Sequence, residues 1–296
     1  MHKKPYGLFV NCPANQAALI AREYESYQTL LNAPQISTLF ITGNPTADDL
    51  ARILQMNAEN TAYEVTLEIT TPCEIDFAAI KKLGINRLSF KRGASADTVA
   101  AAAQHIDNIS LDLGQSDTLP DSLLAALSHI AIYESNQFDE SGYWAKENTL
   151  KGHGFTRYDL YHFAQPGKQS IHQLGYLSGA PYLGLGPGAC GRLILEEQLH
   201  DQQNLEDAKA WQEAVEDNGK GPQHLIPQTE EDMLFEAIHA DLSRPDGVKL
   251  SLIPYVTAEK IAKLQDNDLI ELSATHLRLH TNGFFKSHSV AAALLS

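Results

Sequence analysis

The side chains best suited to soft-metal or nucleophilic chemistry in this sequence are three cysteines, Cys12, Cys73 and Cys190. Thiolates hold zinc or iron–sulfur clusters when they recur at short spacings such as C-x-x-C. None of these three has another cysteine nearby in the sequence, so no local cluster or zinc knuckle is encoded. Small buried thiols in a reducing compartment are the simpler interpretation, and convergence of all three on one metal is the alternative.

One further segment matches a nucleotide-binding motif, while common hydrolase and zinc motifs are absent. The segment "GPGACG" at 186–191 matches G-x-G-x-x-G, but it contains Pro187 and no βαβ unit with a suitably spaced acid follows it. No G-x-S-x-G elbow is present, and the twelve histidines form no H-x-x-x-H pair on a predicted helix. The sequence therefore indicates no dinucleotide-binding site and no hydrolase or zinc-enzyme chemistry.

Composition restricts the partners and the compartment. A net charge of −15 repels nucleic acid phosphates and anionic membrane surfaces. The apolar content of 43% is that of a folded soluble protein, and no apolar run is long enough to span a membrane. The first apolar run is short and is closed by Asn11 and Pro13, unlike a secretory signal. We therefore predict a cytoplasmic protein with neither a nucleic acid partner nor a membrane span.

Six short β-rich runs alternate with helical patterns along the first half of the chain. Such alternation predicts a parallel sheet covered by helices, either doubly wound or an open, incomplete barrel. In both folds ligands bind at the carboxyl ends of the strands. The predicted strands are 7–10, 37–41, 63–69, 86–90, 108–113 and 129–133.

The second half of the chain has more glycine, tyrosine and histidine and fewer helical repeats at its start. A seventh strand is predicted over 157–164, followed by glycine-rich loops, a helix near 204–216 and a polar break at 216–223. Beyond the break, a helix capped by Thr229, a second helix, a hairpin and a closing helix predict a winged-helix-like unit. Because this unit is not basic, a structural or protein-docking role is favoured over DNA binding. The predicted domains are a partial βα barrel (1–167), a glycine-rich and helical connector packed on it (168–222) and the winged-helix-like domain (223–296).

The order of these segments resembles the oxygen-independent coproporphyrinogen III oxidase-like family of radical S-adenosylmethionine (SAM) proteins, particularly its haem chaperone branch. The family fold implies an α/β protein: a partial, open parallel (β/α)6 barrel of radical SAM type with a small C-terminal helical domain. The segments that carry the resemblance are "GINRLSF" (84–90), "DLYHFAQPG" (159–167), "HQLGYLSGAPYLGLGPGACG" (172–191) and "DLIELSATHLRLHTNGFF" (268–285).

The chain departs from the family at its iron–sulfur motif. In the family the first strand leads into C-x-x-x-C-x-x-C, whose thiolates hold three irons of a [4Fe–4S] cluster and leave the fourth for SAM. The corresponding positions here are Asn15, Leu19 and Arg22. None of these side chains replaces a thiolate. We therefore expect no [4Fe–4S] cluster and no cleavage of SAM.

The SAM pocket implied by the resemblance is also altered. The family's glycine run after the second strand is reduced to "TGNPT", which keeps Gly43, while Glu68 and Asp112 match family positions that face SAM. These three residues would form a residual SAM pocket of much reduced affinity. The alternative is a collapsed cavity in which Lys91 and Arg92 neutralise the two acids.

The resemblance implies a haem site in "HQLGYL". The chaperone branch has His-Asn-x-x-Tyr-Trp, and here His172 and Tyr176 remain while Gln173 and Leu177 differ. A neutral imidazole is a competent axial ligand of haem iron, so His172 would ligate haem with Tyr176 beside it. The alternative is structural: His172 bonds to a loop carbonyl and Tyr176 packs under the glycine-rich loop. Cys190 stands where the family often has histidine.

Together these features predict a catalytically degenerate pseudoenzyme that binds or traffics haem, with a haem-accepting protein as partner. One alternative is an enzyme or ligand-binding protein that reuses the barrel mouth, which requires Glu68 and Asp112 to be exposed in a deep pocket. The other is a purely structural interaction protein with neither a pocket nor haem affinity.

Overall fold

The computed structural model describes residues 5–56, 63–70, 75–114, 117, 119–133, 140–253 and 256–295, except the side chains of Tyr133 and Gln223. Cys73 lies outside the described residues.

The core of the fold is a run of six parallel strands that lie side by side in chain order. A doubly wound sheet would reverse its strand order, so this consecutive order is that of an open barrel. The six predicted strands are confirmed as β1 (Tyr6–Cys12), β2 (Ile36–Gly43), β3 (Glu64–Ile69), β4 (Arg87–Phe90), β5 (Asn108–Gly114) and β6 (His129–Tyr133).

Helices follow each of these strands and cover their outer face. The strands alternate, with Leu8, Leu67 and Ile109 among the buried apolar residues of one face and Thr66 and Ser110 on the other. Because successive side chains point to opposite faces, the apolar set packs under the helices and the polar set lines the barrel. The helices are α1 (Ala17–Leu30), α2 (Ala47–Met56), α3 (Phe77–Lys82), α4 (Ala96–Ala103), α5 (Asp121–Ala126) and α6 (Glu140–Gly152).

The predicted seventh strand over 157–164 is wrong, because the chain turns in its middle. The carboxylate of Asp159 accepts hydrogen bonds from the backbone N–H groups of Tyr161 and His162, both at 2.8 Å. Such local bonds from an Asp side chain favour a turn over a continuous strand. The segment forms two short strands, β7 (Thr156–Arg157) and β8 (His162–Ala164), and β8 runs antiparallel to β6.

The glycine-rich connector extends the barrel sheet, which the sequence analysis did not predict. After α7 (Ile171–Leu177), β9 (Tyr182–Leu185) pairs in parallel with β1. An antiparallel meander continues outward from it, giving a sheet of twelve strands among the described residues. The meander consists of β10 (Cys190–Leu195), β11 (Gln198–Asn204) and β12 (Pro222–Pro227), with α8 (Ala208–Asn218) between the last two strands.

The C-terminal segment has the predicted order of helix, helix, hairpin and closing helix. Thr229 caps its first helix in a reciprocal box with Asp232. A second hydrophobic cluster, starting at Ile238, is its core. Strand β12 begins at Pro222 and belongs to the barrel sheet, so a domain boundary between residues 222 and 223 would fall inside this strand. The three-domain division stays a prediction. The elements are α9 (Glu230–Ser243), β13 (Val248–Lys249), α10 (Ala258–Asp266), β14 (Ile270–Leu272), β15 (His276–Leu279) and α11 (Ser287–Leu295), with short 3₁₀ turns at Leu250–Leu252 and Thr281–Lys286.

In the described part of the chain, no helix combines the length and the apolar character needed to cross a membrane.

Candidate functional site

The barrel encloses a polar cavity of about 270 Å³. Its wall follows from strand register: Glu68 of β3 pairs with Ser89 of β4, and Ser89 pairs with Ser110 of β5, so the inner side chains stand in rows. Apolar side chains enter the lining from the first two strands, where Phe9 and Phe40 stack with their ring centroids 5.7 Å apart. The cavity therefore has one aromatic wall, and its other sides are mostly polar.

Two carboxylates and one ammonium group close the barrel mouth, by which we mean the carboxyl ends of β3, β4 and β5. The Nζ of Lys91 lies 2.9 Å from Glu68 and 3.0 Å from Asp112, and the Thr42 hydroxyl also donates to Glu68. Burial alone would lower the pKa of Lys91, but bonds to the two acids outweigh it and raise that pKa above its usual range. Burial raises the pKa of Asp112 despite the charge of Lys91.

These contacts match part of the collapsed-cavity alternative, although the cavity itself is still present. Lys91 neutralises Glu68 and Asp112 as the collapsed-cavity alternative proposed, whereas Arg92 pairs instead with Asp117 at 2.7 Å. The two acids line the cavity but are largely buried, and both are paired with Lys91. A ligand that reused the mouth would have to displace that lysine.

Gly43 does not join these acids around the cavity. Its backbone has φ +89°, and a Cβ atom there would lie 2.4 Å from the carbonyl oxygen of Cys12. Glycine is thus required by the close approach of the β1 backbone. Of the three residues predicted to form a residual SAM pocket, the structure brings together Glu68 and Asp112 only, and the pair is already occupied by Lys91.

The floor of the barrel is α7, held by a buried carboxylate. Glu64 accepts hydrogen bonds from the Ser170 hydroxyl and from the N–H groups of Ile171 and His172, at 2.8 to 3.0 Å. The same carboxylate pairs with Arg87 at 2.8 Å. Because the first N–H groups of a helix have no partner within it, this acid both caps α7 and fixes it to β3.

His172 is bonded through both of its ring nitrogens. Nδ1 lies 2.8 Å from the Thr38 hydroxyl and Nε2 lies 2.6 Å from the Tyr176 hydroxyl. The side chain is 4% exposed, and burial lowers its pKa to about 4, so the ring is neutral at physiological pH. The predicted loop carbonyl is not its partner. In this arrangement neither nitrogen is available to iron, so haem ligation by His172 stays a prediction that requires these bonds to break.

The wall next to the floor contains a histidine that the sequence analysis did not single out. His129 of β6 is 5% exposed, and its Nε2 lies 2.7 Å from the Tyr158 hydroxyl. Its Nδ1 and the Thr66 hydroxyl are buried and have no hydrogen-bond partner among the described residues, and both residues line the cavity. Beside it, His162 is oriented by two contacts of its Nδ1 with Asp159, at 2.8 and 2.9 Å. His129 could have been recognised as a cavity residue only by predicting that it lies on the inner face of β6.

The three positions that the sequence analysis matched to the family's cluster cysteines lie in a tight turn and a helix. Asn15 is in the turn after β1, while Leu19 and Arg22 are within α1. The buried Asp49 carboxylate accepts from the N–H of Asn15 at 2.7 Å and from that of Ala17 at 3.0 Å. These residues do not fit an iron–sulfur cluster, since they provide hydrogen bonds and a helix but no thiolate.

Cys12 and Cys190 do not supply the missing ligands. Cys12 is buried at the end of β1, where burial and the charge of Asp49 raise its thiol pKa to about 12. Cys190 is exposed, contrary to the expectation of a small buried residue, and its thiol donates to Gln203 at 2.8 Å. Both side chains are protonated thiols, which are poor metal ligands.

A larger groove, of about 1,110 Å³, lies outside the barrel between α7, β10 and α9. We call it the α7–α9 groove; Tyr176, Arg192, Met233 and His239 are among its lining residues. Arg192 pairs with Glu236, but its Nε atom has no hydrogen-bond partner among the described residues. Burial and the neighbouring His288 lower the pKa of His239, which keeps its imidazole neutral.

A six-stranded open barrel closed by a C-terminal α/β unit defines a radical SAM-type fold. The structure matches that of the Escherichia coli coproporphyrinogen III oxidase HemN, described as a radical SAM enzyme, with a TM-score of 0.76 at 15% identity. The match covers 99% of this chain and 90% of that one. At this identity the match establishes the fold alone.

Sequence comparisons give the family. The chain is 24% identical to the heme chaperone HemW of Bacillus subtilis, over 78% of this chain and 76% of that protein. It is 30% identical over 163 residues to the mitochondrial radical SAM domain-containing protein 1 of Bos taurus. That segment spans 50% of this chain but only 37% of the bovine protein, and no family model matches the chain. Together the sequence and structure comparisons support the HemN-like radical SAM family, haem chaperone branch.

Proposed function

We propose that this chain is a haem-handling protein on a radical SAM scaffold, and that it works without an iron–sulfur cluster or a radical. The observation that carries the proposal is the turn between β1 and α1. It is closed by Asp49 at the place where the family has its cluster motif. A cluster-bearing loop would need thiolates where the chain has Asn15, Leu19 and Arg22, two of which are fixed in a helix.

The mouth supports the same conclusion for SAM. Lys91 forms ion pairs with both acids that match SAM-facing family positions. A SAM molecule would have to displace this ammonium group and would find no iron to anchor it. We therefore propose that the chain neither cleaves SAM nor binds it at micromolar concentration.

We propose haem handling from the named relatives, and the α7–α9 groove supports a location for it. The Bacillus subtilis relative is a heme chaperone, and the α7–α9 groove exceeds the volume of about 300 Å³ at which pockets begin to hold drug-sized ligands. We propose that His239 supplies the iron ligand there, because its neutral imidazole lines the groove. Arg192 also lines the groove, where its guanidinium can pair with a propionate carboxylate.

A haem titration tests the haem part of the proposal. We expect a saturable Soret shift at about one haem per chain, weakened about tenfold or more in His239→Ala and unchanged in the matched surface control His153→Ala. A loss in His172→Ala that spares His239→Ala would instead favour the inherited His172 site. A Soret change that never saturates would overturn haem handling.

Anaerobic reconstitution with iron and sulfide tests the other part independently. We expect neither a cluster spectrum nor release of 5′-deoxyadenosine on adding SAM and a reductant. A stoichiometric [4Fe–4S] spectrum would overturn the proposal, whatever the haem result.

A further inference from the structure

The barrel cavity contains two buried polar atoms that no described protein group satisfies. Thr66 is 1% exposed and His129 is 5% exposed, and both line the cavity. Their free atoms are the Thr66 hydroxyl oxygen and the His129 Nδ1. Buried polar groups are almost always hydrogen-bonded, so a partner inside the cavity is expected for both.

The His129 Nε2 lies 2.7 Å from the Tyr158 hydroxyl, which can donate its proton to that nitrogen. We take Nε2 as the acceptor of this bond. With Nε2 as acceptor, the neutral ring carries its hydrogen on Nδ1. The floor end of the cavity thus presents two donors, one imidazole N–H and one hydroxyl.

The mouth end of the cavity has the opposite character. Glu68 and Asp112 together carry two negative charges there, and Lys91 supplies one positive charge. The Lys91 side chain is 44% exposed, whereas both acids are 9% exposed. The long, partly solvated lysine can swing outward and leave the two fixed carboxylates to another cation.

We propose that the cavity binds a small zwitterionic amine of the size of an amino acid with an apolar side chain. Its ammonium group replaces that of Lys91 between Glu68 and Asp112, and its carboxylate accepts hydrogen bonds from His129 and Thr66. Its side chain lies against the aromatic wall formed by Phe9 and Phe40. This site is separate from the α7–α9 groove and does not depend on haem handling.

Size and charge select this ligand class. The volume of about 270 Å³ is below that of typical drug-sized sites, which favours a small ligand over a macrocycle. A simple anion would face the carboxylates of the mouth, and a simple amine would leave the donors of Thr66 and His129 without an acceptor. A molecule with both groups satisfies both ends.

Isothermal titration calorimetry with L-leucine tests the proposal, with L-methionine and L-phenylalanine as further probes. We expect saturable binding at one molecule per chain, at least about tenfold weaker for n-butylamine and for butyrate, each of which keeps only one end of the zwitterion. The absence of binding for all three amino acids at millimolar concentration overturns the proposal. Tight binding of SAM with none of L-methionine would also overturn it and would indicate a residual cofactor pocket.

A matched pair of threonine variants distinguishes a ligand contact from a structural one. Thr66→Val removes a hydroxyl that has no partner in the described part of the chain, so we expect about tenfold weaker binding of L-leucine with no loss of thermal stability. Thr38→Val removes the hydroxyl bonded to His172, so we expect lower thermal stability with affinity within about twofold of the wild type. If Thr66→Val leaves affinity unchanged, the cavity holds only water and the proposal fails.

A third variant tests the competition at the mouth. Lys91→Met keeps an unbranched side chain but removes the ammonium group from both acids. We expect this variant to bind n-butylamine more tightly than the wild type, because the two carboxylates are no longer paired. Equal or weaker binding would show that the acids do not receive a ligand amine.

Discussion

The turn that replaces the cluster motif depends on one carboxylate, so the substitution Asp49→Asn tests the structural basis of the proposed loss of chemistry. The Oδ2 atom of Asp49 accepts from the N–H groups of Asn15 and Thr46 and from the Thr46 hydroxyl, at 2.7 to 2.9 Å. The Oδ1 atom accepts from the N–H of Ala17 at 3.0 Å. One residue therefore joins the β1–α1 turn to the start of α2.

The expected cost follows from these four bonds. An asparagine whose oxygen replaces Oδ2 keeps three of them, but its NH₂ group then faces the Ala17 N–H, a buried donor whose loss of a partner costs about 1–3 kcal/mol. The three remaining bonds also lose their charge assistance. We therefore expect a loss of about 3 kcal/mol in the free energy of unfolding.

Asp48→Asn is the matched control, since Asp48 is exposed in the same first turn of α2. Both variants lose a favourable charge at a helix N-terminus, worth at most about 1 kcal/mol. Urea unfolding at neutral pH, followed by circular dichroism, measures the difference between them. If the two variants agree within about 0.5 kcal/mol, the carboxylate does not hold the turn and our reasoning is refuted.

Three further predictions concern ionisation, capping and the floor of the barrel. Burial raises the pKa of Glu23 to about 7 from 4.5 despite four hydrogen-bond donors. The stability that protonated Glu23 contributes is therefore fully present below pH 4.5, and it falls by up to about 3 kcal/mol as the pH rises through 7. Glu23→Gln should remove this pH dependence of the free energy of unfolding in urea titrations, whereas the exposed control Glu25→Gln should keep it. Thr229→Ala should cost about 1 kcal/mol and more than Thr257→Ala, because only Thr229 forms a reciprocal box; equal losses in thermal unfolding would contradict this. Tyr176→Phe should lower the melting temperature by removing the bond to His172 without abolishing the Soret shift, and haem binding lost with unchanged stability would contradict it.

Much of the barrel was predictable because the alternation of apolar and polar residues within each strand is a local sequence pattern. Residues such as Leu8, Leu67 and Ile109 recur at alternate positions in short runs, which is enough to predict a strand and its covered face. Strand β11 gives no such signal, because its sequence "QLHDQQN" is nearly all polar. It is stabilised by pairing with β10 and β12, which are distant contacts that a local pattern does not encode.

The candidate site was predictable only where a residue matched a known position. Glu68, Asp112 and Lys91 were identified in this way, and the structure brings all three together. His129 and Thr66 were not identified, because a single histidine or threonine in a strand carries no functional signal until the inner face is known. The alternation of "EVTLEI" in β3 does place Glu64, Thr66 and Glu68 on one face, so the polar lining could have been inferred from that strand.

The polar lining separates a ligand-binding role from a purely structural one. A barrel that serves only as a scaffold gains free energy from an interior filled by branched apolar side chains, as barrel cores usually are. This chain keeps hydroxyls at Thr66, Ser89 and Ser110 and charges at Glu68 and Asp112 around the cavity. Among these side chains, the Thr66 hydroxyl is left unsatisfied by the described protein groups. Because this arrangement destabilises an empty barrel but suits a polar occupant, it favours the proposed ligand over a purely structural role.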